Sequence, residues 1–212
     1  LISIDDGLHW MPLKNNLPPA PIYWLEVQEN FDDLVVSTYG RGYYILDDLS
    51  ALRQFNPDLK ESPQVFDPRK SYRLNNKESI KTDGYSFNSG QNPAYGTPIN
   101  YYLPDTPTEK VLIEIRDGKN QIIRTLKGSN ETGVNRIIWD LRYEPTYKPQ
   151  LRTLPSGRPW VQLNGEGWRP LVTWDLDLWS GQYGPRVVPG KYTAVITIDD
   201  ASFEKDLVVL KD

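Results

Sequence analysis

Two pairs of carboxylates are the residues of this chain that could do hydrolytic chemistry. A glycoside hydrolase needs an acid and a base or nucleophile across the scissile bond, and the candidate pairs are Asp47 with Asp48 and Asp175 with Asp177. Neighbours in a strand point to opposite faces, so Asp47 and Asp48 should not converge. Asp175 and Asp177 would share a face if their segment is a strand. Acidic residues near turns are more often solvated or cap amides. We therefore expect no catalytic residues in this chain.

The single histidine, the glycine-rich segment and the lack of cysteine also give no indication of an active site or a metal site. His9 is the only histidine, and no Gly-x-Ser-x-Gly elbow accompanies it, so a serine-hydrolase triad is not predicted. Gly40-Arg41-Gly42 lacks the glycine fingerprint of a phosphate loop and is interpreted as a β-turn or bulge, although Arg41 could face the central channel of a propeller. The chain has no cysteine and no EF-hand spacing. The sequence therefore predicts neither a metal site nor a cofactor.

The composition favours many short strands joined by turns. The 212 residues include 18 Pro and 15 Gly, which weaken helices, and 7 Trp and 13 Tyr, which argue against disorder. A net charge of −4 gives no electrostatic case for binding nucleic acid or anionic membranes. No apolar run approaches the roughly 20 residues that span a bilayer. We expect an all-β chain with no membrane span.

Alternating apolar and polar residues predict strands in both halves of the chain. The first half, residues 1–55, has predicted strands at 1–4, 9–13, 22–27, 34–39 and 42–46. Residues 56–93 are polar and rich in proline, and we interpret them as an extended connector pinned by Val65, Phe66 and Tyr72. Further strands are predicted within 94–212, at 99–103, 111–116, 122–126, 137–141, 192–198 and 203–210.

The sharpest local motif is Ser3-Ile4-Asp5-Asp6-Gly7-Leu8-His9-Trp10. Its physical logic is a braced hairpin, in which Asp5 accepts hydrogen bonds from turn amides, Gly7 takes a positive φ and Trp10 packs under the turn and is largely buried. Ser3, Asp5, Gly7 and Trp10 match every defined position of the Asp box, and the segment resembles the repeat of sialidase-like (BNR) and sortilin-like β-propellers.

Two further segments carry resemblances. Residues 37–49 resemble the closing blade of Asp-box propellers that are loosely described as glycosyl hydrolases. Residues 133–140 and 188–194 resemble the Ig-like domain of flagellar hook-assembly proteins and of bacterial secretion-associated modules. These resemblances imply an all-β chain made of the last blade of a partial β-propeller, followed by an Ig-like, fibronectin-III-like antiparallel β-sandwich. In such families the Asp box supports the fold and lies away from the catalytic centre.

A long insertion at about 143–184 interrupts the predicted sandwich. Its aromatic and acidic residues allow two interpretations, a mini-core that packs the insertion onto the protein or a glycan-binding surface on which rings stack and carboxylates bind hydroxyls. We favour the mini-core, with at least two of the four tryptophans mostly buried. The candidate glycan-binding residues are Trp160, Trp168, Trp174, Trp179, Asp175 and Asp177.

Together these features predict a non-catalytic structural region. It would be the C-terminal region of a larger secreted, periplasmic or cell-surface bacterial β-propeller protein, where it buttresses the propeller and mediates interactions. Its expected partners are the remainder of the propeller and a carbohydrate or a cell-envelope protein. The alternative is a carbohydrate-binding or accessory module of a sialidase-like glycoside hydrolase, whose catalytic residues would lie in other blades.

Overall fold

A computed structural model describes most of the chain. The described residues are 1–10, 12–13, 17–74, 93–145, 150–170, 172–173, 176–177 and 183–211, with the backbone alone at 172–173 and 176–177. These residues form mostly strands in antiparallel sheets, so the predicted all-β class is confirmed. Within the described ranges, no helix is long and apolar enough to cross a membrane.

Three consecutive strands form a separate antiparallel sheet, which we call the open sheet. Strands β1 (Ile22–Gln28), β2 (Asp33–Thr38) and β3 (Gly42–Leu46) lie in that order. The β2–β3 turn needs positive φ at Gly40 (74°) and Gly42 (80°), a conformation that glycine adopts without steric cost. The three strands predicted here are confirmed within one residue at each end.

The residues after the open sheet form several short elements of regular structure. A short helix, α1 (Ser50–Gln54), and a 3₁₀ turn at Pro57–Leu59 come first. Strand β4 (Gln64–Val65) then joins one sheet of the second half, and β5 (Ser71–Arg73) joins the other sheet in parallel with the last strand of the chain. The connector therefore pairs with both sheets of the second half of the chain.

Two sheets make up the second half of the chain. One contains β4, β6 (Thr97–Leu103) and β9 (Gly133–Trp139), in the order β4-β6-β9. The other has the order β5-β13-β12-β7-β8. Its remaining strands are β7 (Leu112–Arg116), β8 (Ile122–Lys127), β12 (Gly190–Ile198) and β13 (Ala201–Lys211). A short hairpin of β10 (Val172–Thr173) and β11 (Leu176–Asp177) lies between β9 and β12 in the sequence.

The two sheets share one hydrophobic core. Trp139 is fully buried and packs edge-to-face on Tyr192, with ring centroids 5.4 Å apart. Alternate residues of β7 and β12 face this core, which is the pattern that alternating apolar and polar residues predict for a half-buried strand. These buried residues include Ile113, Ile115, Tyr192, Ala194, Ile196 and Ile198.

Two predicted strands are wrong. Residues 1–4 contribute a single bridge residue, Ile2, and the described part of 9–13 contains no strand. An isolated two-stranded hairpin is marginal in water, since it lacks a third strand or a packed face. The alternation in these segments would need a neighbouring sheet before it could produce a strand.

Candidate functional site

The Ser3–Trp10 turn is closed by its own side chains. The Asp5 carboxylate accepts the His9 backbone N–H at 2.9 Å and the Ser3 hydroxyl at 2.8 Å. Gly7 has φ 88° and donates its N–H to the Ser3 hydroxyl at 2.7 Å. The expected roles of Asp5 as an acceptor for turn amides and of Gly7 as the positive-φ residue are both present.

Electrostatics within this turn favour the ionised Asp5. The His9 backbone N–H, then the His9 ring at 2.6 Å, then the Ser3 hydroxyl, lower the pKa of Asp5 from 3.8 to about 2. Each of these groups stabilises the carboxylate more than the neutral acid. The turn is therefore an ionised brace across the ordinary pH range, with no neutral acid to donate a proton.

Trp10 is not buried, and that expectation was wrong. Its side chain is 62% exposed, although its indole N–H donates to the Gly7 carbonyl at 3.0 Å. The ring therefore lies against the turn, but the described residues supply no second surface to cover its outer side. Burial of Trp10 requires a packing partner beyond the turn.

The open sheet exposes large apolar residues on one face, beside the carboxylate of Glu26, which accepts the Trp24 indole N–H at 3.0 Å. Trp24, Ser37 and Tyr43 are opposite one another in the strand register, so their side chains share this face. Trp24 is 64% and Tyr43 78% exposed, and Ile45 is exposed on the same face two residues further along β3. We call the surface of Trp24, Tyr43 and Ile45 the apolar face. Aromatic area of this size is costly to leave in water.

The opposite face of the open sheet is only partly covered. Val36 is buried there, but Leu25, its partner in register, is 57% exposed. A cleft of about 550 Å³ opens between the N-terminal segment and α1, and its lining includes Leu34, Leu52 and Phe55. Both faces of this small sheet therefore present apolar surface to solvent.

A buried polar network attaches the open sheet to the two-layered core. Asp48 follows β3, and its side chain is 1% exposed. Its carboxylate accepts the Asn100 amide at 3.1 Å and lies 3.7 Å from the Arg136 guanidinium. Arg136 also donates to the Asn100 side chain at 2.8 Å and to the carbonyls of Asp47 and Asp48. We call Asp48, Asn100 and Arg136 the latch.

A second set of contacts supports the latch from the connector. Arg69 donates to the Phe31 carbonyl at 2.7 Å and to the Asp33 carboxylate at 3.2 Å. Asp33 in turn accepts the backbone N–H of Asp48 at 2.8 Å. Sequence reasoning missed both sets, because their members lie as far as 88 residues apart along the chain. The latch fixes the position of the open sheet without covering its apolar face.

The tryptophan-rich insertion is only partly described. Trp160 is 48% exposed, and Trp168 is partly buried, with the Arg152 guanidinium 4.3 Å from its ring centroid. The Asn164 side chain accepts the backbone N–H of Trp168 at 2.9 Å and so shapes the turn that carries it. Trp174, Trp179 and Asp175 lie outside the described residues, as does the side chain of Asp177. Because two of the four tryptophans are not described, the burial of at least two of them stays a prediction.

The candidate carboxylates form no acid–base pair among the residues that the structure describes. Asp48 is occupied by the latch, while its neighbour Asp47 uses its backbone carbonyl there. Across the described ranges, no group of three or more His, Asp or Glu residues could hold a metal ion.

Comparison with known proteins gives no relative. The chain matches no family model, no curated protein and no solved structure. Its function is therefore inferred from its own surfaces and contacts.

Proposed function

We propose that this chain is a non-catalytic structural region of a larger secreted β-propeller protein. The open sheet is the last blade, and the two-layered domain is an Ig-like sandwich that buttresses it. The apolar face of Trp24, Tyr43 and Ile45 carries the proposal, because it is a large exposed hydrophobic surface on a small sheet.

A propeller blade needs both of its faces covered. Blades are short sheets of about four strands arranged around a central channel, and each packs between two neighbours. The open sheet has three strands and apolar residues on both faces. A neighbouring blade would cover the apolar face, and a further strand would pair with β1 or β3.

The Ser3–Trp10 turn supports the same assignment. Its hydrogen bonds fit the brace expected of an Asp box, and Trp10 keeps an exposed ring that another blade would cover. The latch supports the buttress role, because it couples the last blade to a domain with its own hydrophobic core.

The test uses one substitution in two proteins, this chain and the polypeptide that its full gene encodes. Trp24→Lys should leave the thermal midpoint of this chain nearly unchanged, because Trp24 is already solvated here. In the full polypeptide the same change should lower the midpoint by several degrees, because it would place an unpaired charge in a buried interface. Val134→Lys, at an exposed position on β9, is the matched control and should be neutral in both. A neutral Trp24→Lys in the full polypeptide would overturn the proposal.

Carbohydrate binding by the insertion is the second candidate function. The exposed ring of Trp160 favours it, because exposed aromatic faces stack on sugar rings. Trp168 is a second candidate in the same insertion, with the Arg152 guanidinium over one face of its ring. Glycan titration followed by tryptophan fluorescence tests this function, with Trp160→Ala as the variant and Trp24→Ala as the control. A saturable response lost only in Trp160→Ala would establish glycan binding, and the absence of any response across a broad glycan panel would count against it.

A further inference from the structure

Two arginines lie directly opposite each other where β9 ends. Arg142 and Arg186 form an antiparallel bridge between the residues that come after β9 and those that precede β12. Residues opposite each other in this way project from the same face, with Cβ atoms about 5 Å apart. Like charges in this arrangement repel each other, and a bound anion would relieve that repulsion.

The backbone at this point is held in an unusual conformation. Leu141 is fully buried yet has φ 56°, in the left-handed region that a leucine rarely adopts. The Val187 N–H donates to the Leu141 carbonyl at 2.8 Å, and the buried Trp139 indole donates to the Arg142 carbonyl at 3.0 Å. Such a conformation is strained and persists only where its surroundings impose it. The hydrophobic core thus fixes the direction of Arg142.

Both guanidinium groups are positioned in advance. Arg142 donates to the Gly184 carbonyl at 2.8 Å and lies 5.3 Å from the ring centroid of Tyr183. Arg186 donates to the Leu74 carbonyl at 3.0 Å and lies 5.9 Å from the ring centroid of Tyr95. A guanidinium has five N–H donors, so each keeps donors beyond these contacts. Preorganisation of this kind lowers the entropic cost of binding.

The acidic residues beside Arg142 in the sequence are engaged elsewhere. Asp140 and Glu144 lie 3.9 and 3.6 Å from the guanidinium of Arg124 on β8. Glu144 also accepts the Thr125 N–H at 2.6 Å. Among the described residues, no carboxylate forms an ion pair with Arg142 or Arg186. The positive charge of the pair is therefore not neutralised by these neighbours.

We propose that Arg142 and Arg186 bind an oxyanion, the carboxylate or sulfate group of an acidic saccharide. Each guanidinium can donate two parallel hydrogen bonds to such a group. Tyr95 and Tyr183 flank the pair and are partly exposed, which gives a sugar ring an aromatic surface beside the anion. This site uses none of the residues of the open sheet, so it stands or falls independently of the proposed propeller assignment.

Titration of the full chain by calorimetry tests the site, with glucuronate, glucose 6-sulfate and uncharged glucose as separate probes. We expect glucuronate or glucose 6-sulfate to bind and glucose to bind far more weakly; the stronger of the two anions identifies the source of the oxyanion. Arg186→Gln should weaken binding by about tenfold or more, because it removes a charged hydrogen-bond donor from the anion. Arg186 is exposed, so this variant should stay folded.

The matched control is Arg41→Gln, which removes an equally exposed charge from the β2–β3 turn. It should leave binding unchanged. Arg186→Lys keeps the positive charge but loses the planar guanidinium that can donate two parallel hydrogen bonds. This variant should therefore bind the anion more weakly than the unchanged chain. No binding of either anion, an equal loss in Arg41→Gln, or full binding in Arg186→Gln would overturn the proposal.

Discussion

Asp5 makes the stability of its turn depend on pH. Its folded pKa of about 2 lies below the ordinary 3.8 because of the His9 and Ser3 hydrogen bonds. The ionised brace is therefore fully present above about pH 4, and it is lost as the pH falls through the folded pKa. We expect the His9 amide, followed by NMR, to lose its hydrogen bond as the pH falls through about 2. Asp5→Asn should remove this transition, and a titration midpoint of Asp5 near 4 would contradict the account.

Tyr101 should produce the opposite dependence at high pH. Burial raises its pKa to about 12, and its hydroxyl donates to the Ser129 carbonyl at 2.7 Å. A raised tyrosine pKa stabilises the fold below about pH 10, and that stability is lost as the pH rises towards 12. Tyr101→Phe should cost about 1 kcal/mol near neutral pH through the lost hydrogen bond and reduce the loss above pH 10. Urea unfolding at several pH values checks both effects, and an unchanged alkaline profile would contradict them.

Strand β9 depends on Trp139 for its attachment to the opposite sheet. The side chain is fully buried, packs on Tyr192 and donates to the Arg142 carbonyl. Trp139→Ala should lower the free energy of unfolding by roughly 3–5 kcal/mol, the range for removing a large aromatic side chain from a core. Chemical denaturation measures this loss. A cost below 1 kcal/mol would mean that the core does not depend on this contact.

The latch should hold the open sheet on the core. Asp48→Ala leaves Asn100 and Arg136 without their carboxylate partner, and an unsatisfied buried polar group costs about 1–3 kcal/mol. Hydrogen exchange should then show faster exchange in β1, β2 and β3 but unchanged protection in β7 and β12. Asp47→Ala is the control for loss of a carboxylate, because Asp47 contributes its backbone carbonyl to the latch. Asp48→Asn separates loss of the carboxylate from backbone strain, because asparagine tolerates the φ of 61° at this position. Equal exchange in Asp48→Ala and Asp47→Ala would contradict this role.

Strands could be predicted where the pattern that identifies them lies within a few consecutive residues. The alternation of β7 and β12 identified strands and inward faces, because a period of two depends on neighbours in the chain. The parallel pairing of β5 with β13 and the contact of Asp48 with Asn100 were missed, since each joins segments distant in the sequence. The exposure of Trp10 was missed because a motif specifies the turn but not the surface that covers it.

The whole molecule combines a domain that has its own hydrophobic core with a small sheet whose apolar residues are exposed. The two-layered domain buries a cluster of apolar residues between its sheets, whereas the open sheet presents Trp24, Tyr43 and Ile45 to solvent. The latch and the Arg69 contacts hold this sheet in place, so its exposure is a fixed feature of the surface. A sheet that is fixed and uncovered is suited to receive another sheet, which is the role that we propose for it.

Hydroxyl-radical footprinting of this chain and of the full encoded polypeptide tests that role most directly. Trp24 and Tyr43 should react readily in this chain, because both are exposed, and Trp139 should react little because it is buried. In the full polypeptide, the account predicts that Trp24 and Tyr43 fall to the reactivity of Trp139, while the exposed Tyr183 keeps its own. Undiminished reactivity of Trp24 and Tyr43 in the full polypeptide would contradict the account.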